Sequence, residues 1–256
     1  MSCFLVFEFV SLSVLTYFSL KTKKRTNSNK RIYFMDIQTN LRNVLAELPD
    51  GVRLVAVSKF HPAEAIREAY EAGQRIFGES KEQELAEKQK TLPNDIEWHF
   101  IGHLQTNKVK YIAPYIALIQ AVDSYKLLAE INKQAAKYNR VIPCLLEIHI
   151  AREESKYGFT PQACREMLEA GEWKKLDHVR IAGVMGMATN TDDEEQIAHE
   201  FHTLKDLFDE WKQAFFAEEP TFKEVSMGMS HDYEIALRNG TTLVRVGTKI
   251  FGERVY

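Results

Sequence analysis

The sequence predicts a single α/β domain built as a (β/α)8 barrel of the TIM type. From residue 54 onward, short apolar strands alternate with segments of helical period, the pattern of parallel strands joined by helical crossovers. Eight such strands follow one another, the number at which a parallel sheet closes into a barrel, and the stretch from Met35 to Tyr256 has a suitable length. An open doubly wound sheet is the alternative. It has less support, because no G-x-G-x-x-G pattern opens a first helix.

The elements follow in a regular order. A helix is predicted over 37–48, where apolar residues recur at helical spacing until Pro49 and Gly51 end the pattern. The predicted strands are 54–59, 75–80, 98–102, 117–123, 144–150, 181–188, 224–230 and 243–248. The clearest helices between them are 62–73, 124–139, 161–173 and 192–215. The last of these opens with Thr191 three residues before Glu194, a capping-box pattern.

The first 34 residues differ from the rest of the chain. Residues 4–20 are almost entirely apolar, and residues 21–31 are basic and polar. A secretory signal peptide carries its positive charge before the apolar run, so this order does not match one. Two interpretations stay open: a membrane anchor whose basic flank is cytoplasmic, or an assigned start that precedes the true first residue, Met35. We favour the second and expect a 1–34 extension followed by one domain over 35–256.

Composition is that of an ordinary soluble protein. The charged fraction is 27% and the formal net charge is -3, so no basic surface for nucleic acid is expected. The three cysteines show neither metal-ligand spacing nor an even-numbered disulfide framework. His99 and His103 are four residues apart but fall on a strand and its exit turn, where this spacing does not suit a metal. We therefore expect reduced thiols, a cytoplasmic location and no metal.

The candidate site lies where the strands end, because barrel enzymes carry their chemistry at the C-terminal ends of the strands. Strand 8 ends in small residues and a hydroxyl, and the chain then opens toward a short helix. Loops after strands 7 and 8 frequently build a phosphate site from backbone N–H groups. Ser226, Gly247 and Thr248 supply the parts such a site requires, a close backbone approach and hydroxyl donors.

Lys59 ends the first predicted strand, and a lysine there is most often a surface residue with its ammonium in water. Strands 1 and 8 are neighbours in a closed barrel, however, so its amine would share one mouth with the phosphate cradle. A partly desolvated amine beside a phosphate site suits a Schiff base with an aldehyde phosphate, namely pyridoxal 5′-phosphate. The alternative is a barrel that binds another phosphorylated metabolite, with Lys59 acting as a point charge.

Arg245 lies two residues before Gly247 in a strand, so both face the same side. An arginine is one expected partner of the pyridine nitrogen of pyridoxal phosphate. Because arginine does not give up its proton, it would leave that nitrogen unprotonated and the ring a weaker electron sink. The alternative for Arg245 is a buried ion pair in the barrel interior.

Five segments together resemble the pyridoxal phosphate homeostasis protein family: "AVSKFHP", "GQRIFGESKEQE", "EWHFIGHLQTNKVK", "EESKYGF" and "VSMGMSHDYEIALRNGTTLVRVGTKIFGER". The resemblance covers Met35 to Tyr256, and the family's fold is similar to the N-terminal barrel of alanine racemase, a fold type III architecture. It implies that Lys59 forms the Schiff base and that Arg245 faces the pyridine nitrogen. It also implies that the phosphate is held by Ser226, Gly247 and Thr248.

The resemblance also places Ser80 near the cofactor ring, at a position where the family usually has asparagine. A serine keeps a hydroxyl donor there but loses reach. The family often has proline at the position of His103, to which we assign no catalytic role.

The function that the resemblance implies is binding pyridoxal phosphate and delivering it inside the cell, affecting amino-acid and keto-acid balance. Enzymes that lack their cofactor would be the recipients. Racemisation needs acid–base groups on both faces of the substrate carbanion, and this sequence shows no second β-rich domain like the one in alanine racemase. The alternative is a catalytically active pyridoxal phosphate enzyme such as an amino-acid racemase. We expect a monomer.

Overall fold

The computed structural model describes residues 37–253, so the 1–34 extension lies outside the described residues. Within these limits the chain forms a closed barrel of eight parallel strands in the order β1-β2-β3-β4-β5-β6-β7-β8. The predicted fold class is confirmed. The open sheet is excluded because the first and last strands pair with each other.

Each strand of the barrel except the last is followed by a helix of the outer layer. The strands are β1 Arg53–Val57, β2 Ile76–Glu79, β3 Glu97–Phe100, β4 Leu118–Val122, β5 Ile142–Ile148, β6 Val179–Gly186, β7 Glu224–Met229 and β8 Leu243–Val246. The helices are α1 at 37–46, α2 Ala63–Glu71, α3 Glu82–Thr91, α4 Val109–Ile112, α5 Tyr125–Ala136, α6 Pro161–Ala170, α7 Glu194–Ala214 and α8 Tyr233–Arg238. A short helix, α9 Thr248–Phe251, follows β8.

Most predicted elements begin or end one to three residues away from the observed ones, and two of these differences change an interpretation. The predicted first strand runs to residue 59, but β1 ends at Val57, so Lys59 lies in the loop after the strand. The capping-box prediction at Thr191 is wrong, because α7 is capped by Asp193, whose side chain accepts from the backbone N–H groups of the following turn. The Thr191 hydroxyl instead accepts from the Asp193 N–H. No helix within 37–253 is both long and apolar enough to cross a bilayer.

Closure of the barrel places the first strand beside the last strand. β1 pairs with β8 through Val55 opposite Arg245 and Ala56 opposite Val246. A Cβ atom added at Gly247 would lie 3.0 Å from the Val57 carbonyl oxygen, so only a glycine fits this approach comfortably. The loop that carries Lys59 therefore starts beside the loop that follows β8.

The barrel interior is a mixture of apolar and polar side chains. Its apolar cluster consists of Val55, Leu118, Ala121, Leu145, Ala182, Met185 and Leu243. Gln120 on β4 contacts Ser226 on β7, and these strands are not neighbours, so their contact crosses the interior. Buried polar groups need partners, and these interior partners hold one wall of the candidate site in place.

Candidate functional site

A cavity of about 420 Å3 opens at the C-terminal ends of the strands. Its lining residues come from the ends of β1, β6, β7 and β8 and from the loops that follow them and β3: Val57, Lys59, Ile101, Met187, Met229, Ser230, His231, Arg245, Gly247, Thr248 and Glu253. Of the six residues predicted from sequence, this set contains Lys59, Arg245, Gly247 and Thr248, and it does not contain Ser80 or Ser226. The closed barrel therefore brings four of the predicted residues to one cavity.

One corner of the cavity is formed by Ser230, Gly247 and Thr248. The Gly247 N–H donates to the Ser230 hydroxyl at 3.1 Å, which ties the loop after β7 to the loop after β8. Thr248 begins α9, and the first N–H groups of a helix have no acceptor within the helix. The hydroxyl-bearing residues Ser230 and Thr248 thus line the cavity beside a glycine at the start of a short helix, an arrangement that suits the oxygens of a phosphate group.

Ser226 lies deeper in the barrel and is fully buried. Its hydroxyl donates to Gln120 Oε1 at 2.6 Å and accepts from Arg245 at 2.6 Å, so both of its hydrogen-bonding roles are used inside the protein. Ser230 stands in the corner instead, four residues further along and just past β7. The sequence held a usable signal, because Ser230 is at the strand's end and Ser226 is within the strand.

Ser80 follows the last residue of β2 and is half-buried. It packs against the start of the loop after β3, because a Cβ added at Gly102 would lie 2.6 Å from the Ser80 Cβ. This close packing holds the serine beside Gly102 rather than in the cavity wall.

Lys59 sits in a loop whose backbone is held on several sides. The Ser58 N–H donates to the Gly78 carbonyl at 3.0 Å, and the Phe60 N–H donates to Glu84 Oε1 at 2.6 Å. Phe60 has a φ of 68°, in the left-handed region that non-glycine residues rarely occupy. The residues on both sides of Lys59 are therefore fixed, and Phe60 is held in a conformation that it would not favour alone.

The clamp on this loop centres on the buried ammonium of Lys88 in α3. It donates to the Ser58 carbonyl at 2.8 Å, to Glu79 Oε1 at 2.7 Å and to Glu84 Oε1 at 2.6 Å, which uses all three of its protons. The Ser58 hydroxyl also donates to Glu79 Oε1 at 2.6 Å. Burial raises the pKa of Glu79 to about 7, while the charge of Lys88 lowers it. Lys88 was not singled out from the sequence, because its partners come from the end of β1, from β2 and from α3 and meet only in the folded barrel.

Arg245 forms the inner wall of the cavity and is held by a chain of hydrogen bonds with a fixed direction. Its guanidinium donates to the Ser226 hydroxyl and to the Gly186 carbonyl at 3.0 Å. A guanidinium can only donate, so the Ser226 hydroxyl accepts from Arg245 and donates its own hydrogen bond to Gln120 Oε1. The Gln120 amide nitrogen then donates to Nδ1 of His99 at 2.9 Å. His99 therefore carries its proton on Nε2.

Burial sets the charge at both ends of this chain. It lowers the pKa of His99 to about 3, with a further lowering by the charge of Arg53, so the imidazole is neutral at ordinary pH. Burial also lowers the pKa of Arg245 to about 10, which still leaves the guanidinium charged. The cavity thus has one permanent cation in its wall.

Glu147 on β5 is a second buried carboxyl in the interior. Burial raises its pKa to about 7; the charge of Asp123 raises it further and that of Arg245 lowers it. Its Oε2 has no hydrogen-bond partner among residues 37–253. Like Glu79, this carboxyl therefore takes up a proton near neutral pH.

A family model described as "Alanine racemase, N-terminal domain" matches residues 32–255. A pyridoxal phosphate homeostasis protein from Aquifex aeolicus is 40% identical over 205 residues, which are 80% of this chain and 88% of that protein. A protein of the same name from Pasteurella multocida is 39% identical over 229 residues, 86% of this chain and 95% of that one.

Solved structures give a consistent result. PipY of Synechococcus elongatus with PLP bound has 35% sequence identity and a TM-score of 0.76, covering 84% of this chain and 100% of PipY. Alanine racemase from Clostridium difficile has 16% identity and a TM-score of 0.70, covering 85% of this chain and 56% of the racemase. At that identity, the racemase shares the fold alone.

Proposed function

Because this chain belongs to the pyridoxal phosphate homeostasis protein family, we propose that it binds pyridoxal 5′-phosphate in the cavity at the C-terminal end of the barrel. The Aquifex aeolicus relative that bears this name is matched over 88% of its length, and PipY has been solved with PLP bound. We further propose that the protein takes part in keeping the cell supplied with this cofactor, with effects on amino-acid and keto-acid balance.

The residues around the cavity fit the chemical groups of this cofactor. When bound, pyridoxal phosphate supplies an aldehyde carbon open to attack by an amine, a phosphate and a pyridine nitrogen. We assign Lys59 to hold it covalently as a Schiff base, and Arg245 to donate to the pyridine nitrogen. Ser230, Gly247 and Thr248 take the phosphate, with Ser230 in the role that the sequence had suggested for Ser226.

One observation carries the proposal: a lysine, an arginine and two hydroxyl-bearing residues beside a glycine line one cavity. Arg245 also favours holding the cofactor over using it. A donor-only partner leaves the pyridine nitrogen unprotonated, and the ring then stabilises a substrate carbanion poorly. Reversible attachment at Lys59 is compatible with release to enzymes that lack their cofactor.

The visible absorption spectrum of the purified protein with added pyridoxal phosphate tests the proposal. We expect a Schiff-base band that is lost in Lys59→Ala and kept in Lys90→Ala, a control at an exposed lysine of α3. A protein that stays colourless in excess cofactor would overturn the proposal. A band that survives in Lys59→Ala would move the attachment to another lysine.

The racemase alternative has its own test. The loaded protein is incubated with L- and D-alanine in deuterated water, and the Cα deuterium and the enantiomer ratio are followed. We expect neither to change above the rate of free cofactor. Inversion with deuterium uptake would establish an enzyme.

A further inference from the structure

A second cavity, of about 270 Å3, lies at the opposite end of the barrel. Its walls come from the starts of the strands and the loops that precede them, which is the mouth away from the proposed cofactor site: Arg53, Glu97, His99, Ala117, Leu118, Pro143, Arg180, Ala182, Thr221, Lys223 and Glu224. Arg53 and Arg180 lie two residues before Val55 and Ala182, members of the interior cluster, so they point inward along the same strand faces. We refer to this space as the N-terminal cavity.

The N-terminal cavity has a histidine N–H donor in its wall that no residue within 37–253 satisfies. His99 is 2% exposed and lines this cavity. Its Nδ1 accepts a hydrogen bond from the side-chain amide of Gln120. Its Nε2 bears a proton, by the direction that Arg245 imposes on the chain, and it has no hydrogen-bond partner within 37–253. An acceptor bound in the cavity would take this hydrogen bond, because the ring lines the cavity wall.

The charges around the N-terminal cavity favour an anion. Arg53 and Glu224 pair at 2.7 Å, and the other Glu224 oxygen accepts from the Thr242 hydroxyl at 2.8 Å, so this pair is neutral and satisfied. Arg180 and Lys223 remain as two cations, and neither makes an ion pair within 4.0 Å in the part of the chain that the structure describes.

Two carboxylates, Glu97 and Glu219, reduce the net positive charge around the cavity. Glu97 is exposed at the rim and makes no described ion pair. Glu219 lies close enough for Arg180 to lower its pKa, although its main partner is the side chain of Thr221. Counting the four lining groups outside the neutral pair leaves two cations, one carboxylate and the His99 N–H donor.

We propose that the N-terminal cavity is a binding site for a small oxyanion, a carboxylate or a phosphate group. The anion accepts from His99 Nε2 and is held by Arg180 and Lys223. This site is separate from the proposed cofactor site, because its lining residues lie at the opposite ends of the strands; His99 is joined to Arg245 of the other cavity only through Gln120 and Ser226.

The test uses the full chain loaded with pyridoxal phosphate, so that the C-terminal cavity is filled, with 15N-labelled histidine. Inorganic phosphate and acetate are titrated separately while the His99 ring nitrogens are followed by NMR. We expect a saturable shift of the Nε2–H signal, and the probe that binds more tightly identifies the class of anion. If the protein does not take up cofactor, the same titration is done without it, with the Gly247 amide reporting on the other cavity.

Variants then assign the binding to these residues. Arg180→Ser and Lys223→Ser are each expected to weaken it about tenfold, because each removes a charged hydrogen-bond donor to the anion. Glu97→Gln should strengthen it, and Lys126→Ser, at an exposed lysine of α5, should leave it unchanged. The proposal is overturned if the His99 signal does not move when anion is added. It is also overturned if Arg180→Ser and Lys223→Ser both bind the anion as tightly as the unsubstituted protein. Failure to bind cofactor leaves this outcome unaffected.

Discussion

Arg245 donates a hydrogen bond of 2.6 Å to the hydroxyl of Ser226 inside the barrel. This contact distinguishes the role of Ser226, within β7, from that of Ser230, one residue past the end of β7. Ser226 orients the arginine, and Ser230, tied to the Gly247 N–H, faces the cavity.

The two serines should therefore respond differently when the ligand has no phosphate. We expect Ser230→Ala to weaken binding of pyridoxal phosphate about tenfold, the value of one hydrogen bond to a charged group. Binding of pyridoxal should hardly change. Ser226→Ala should weaken both ligands alike, because it disturbs Arg245. Absorbance titrations with the two ligands check this, and a loss confined to pyridoxal phosphate in Ser226→Ala would return the phosphate role to Ser226.

Ser80 offers a simpler expectation. It packs on Gly102 and is not part of the cavity wall. We expect Ser80→Ala to keep the affinity for pyridoxal phosphate within about twofold, well under the effect of one lost hydrogen bond. A tenfold loss in the same titration would show that its hydroxyl reaches the cofactor.

Removing the Lys88 ammonium should destabilise the protein strongly. Lys88→Met leaves Glu79 and Glu84 without their cation, and breaking a buried ion pair costs about 3–5 kcal/mol. Urea unfolding at pH 8 measures the change. Lys90→Met is the control, because that lysine pairs with Glu87 on the surface and should cost under about 1 kcal/mol.

A second variant separates charge from packing in that cluster. Lys88→Met combined with Glu79→Gln leaves fewer buried charges, and we expect it to recover part of the lost free energy of unfolding. An additive effect of the two substitutions would mean that the ion pair between them contributes little.

The pH dependence of stability should follow the buried carboxyl of Glu147. Its pKa is about 7 in the folded protein and 4.5 in the reference state, so the folded protein binds more protons between these values. The stabilisation is complete below pH 4.5 and is lost as the pH rises through 7, by about 3 kcal/mol for such a shift. Glu147→Gln should flatten this decline in unfolding experiments, leaving the similar contribution of Glu79. The exposed control Glu169→Gln should not, and an unchanged slope in Glu147→Gln would contradict the assignment.

Periodicity along the chain was enough to predict the barrel, and closure of the barrel was enough to place Lys59 beside Gly247. Contacts that cross the interior could not be predicted from the sequence, because Gln120 and Ser226 are 106 residues apart and meet only in the folded barrel. The buried Lys88 was missed for a similar reason. Whether a lysine on a helix is solvated depends on the carboxylates that other elements bring to it.

Choosing between the two serines depended on where β7 ends, which sequence patterns locate least accurately. β7 ends at Met229, so Ser226 lies within the strand and Ser230 lies one residue past its end. The family resemblance named the cofactor correctly as far as the relatives show, but it did not resolve this local question.

The fixed direction of the chain from Arg245 to His99 also limits what can travel through the barrel. A row of hydrogen-bonded groups conducts protons only if every member can both give up a proton and take one, and then reverse. Arg245 cannot give up its proton at ordinary pH, and burial keeps His99 from accepting a second one. This row therefore does not conduct protons, and a change of protonation at one mouth of the barrel does not pass along it to the other.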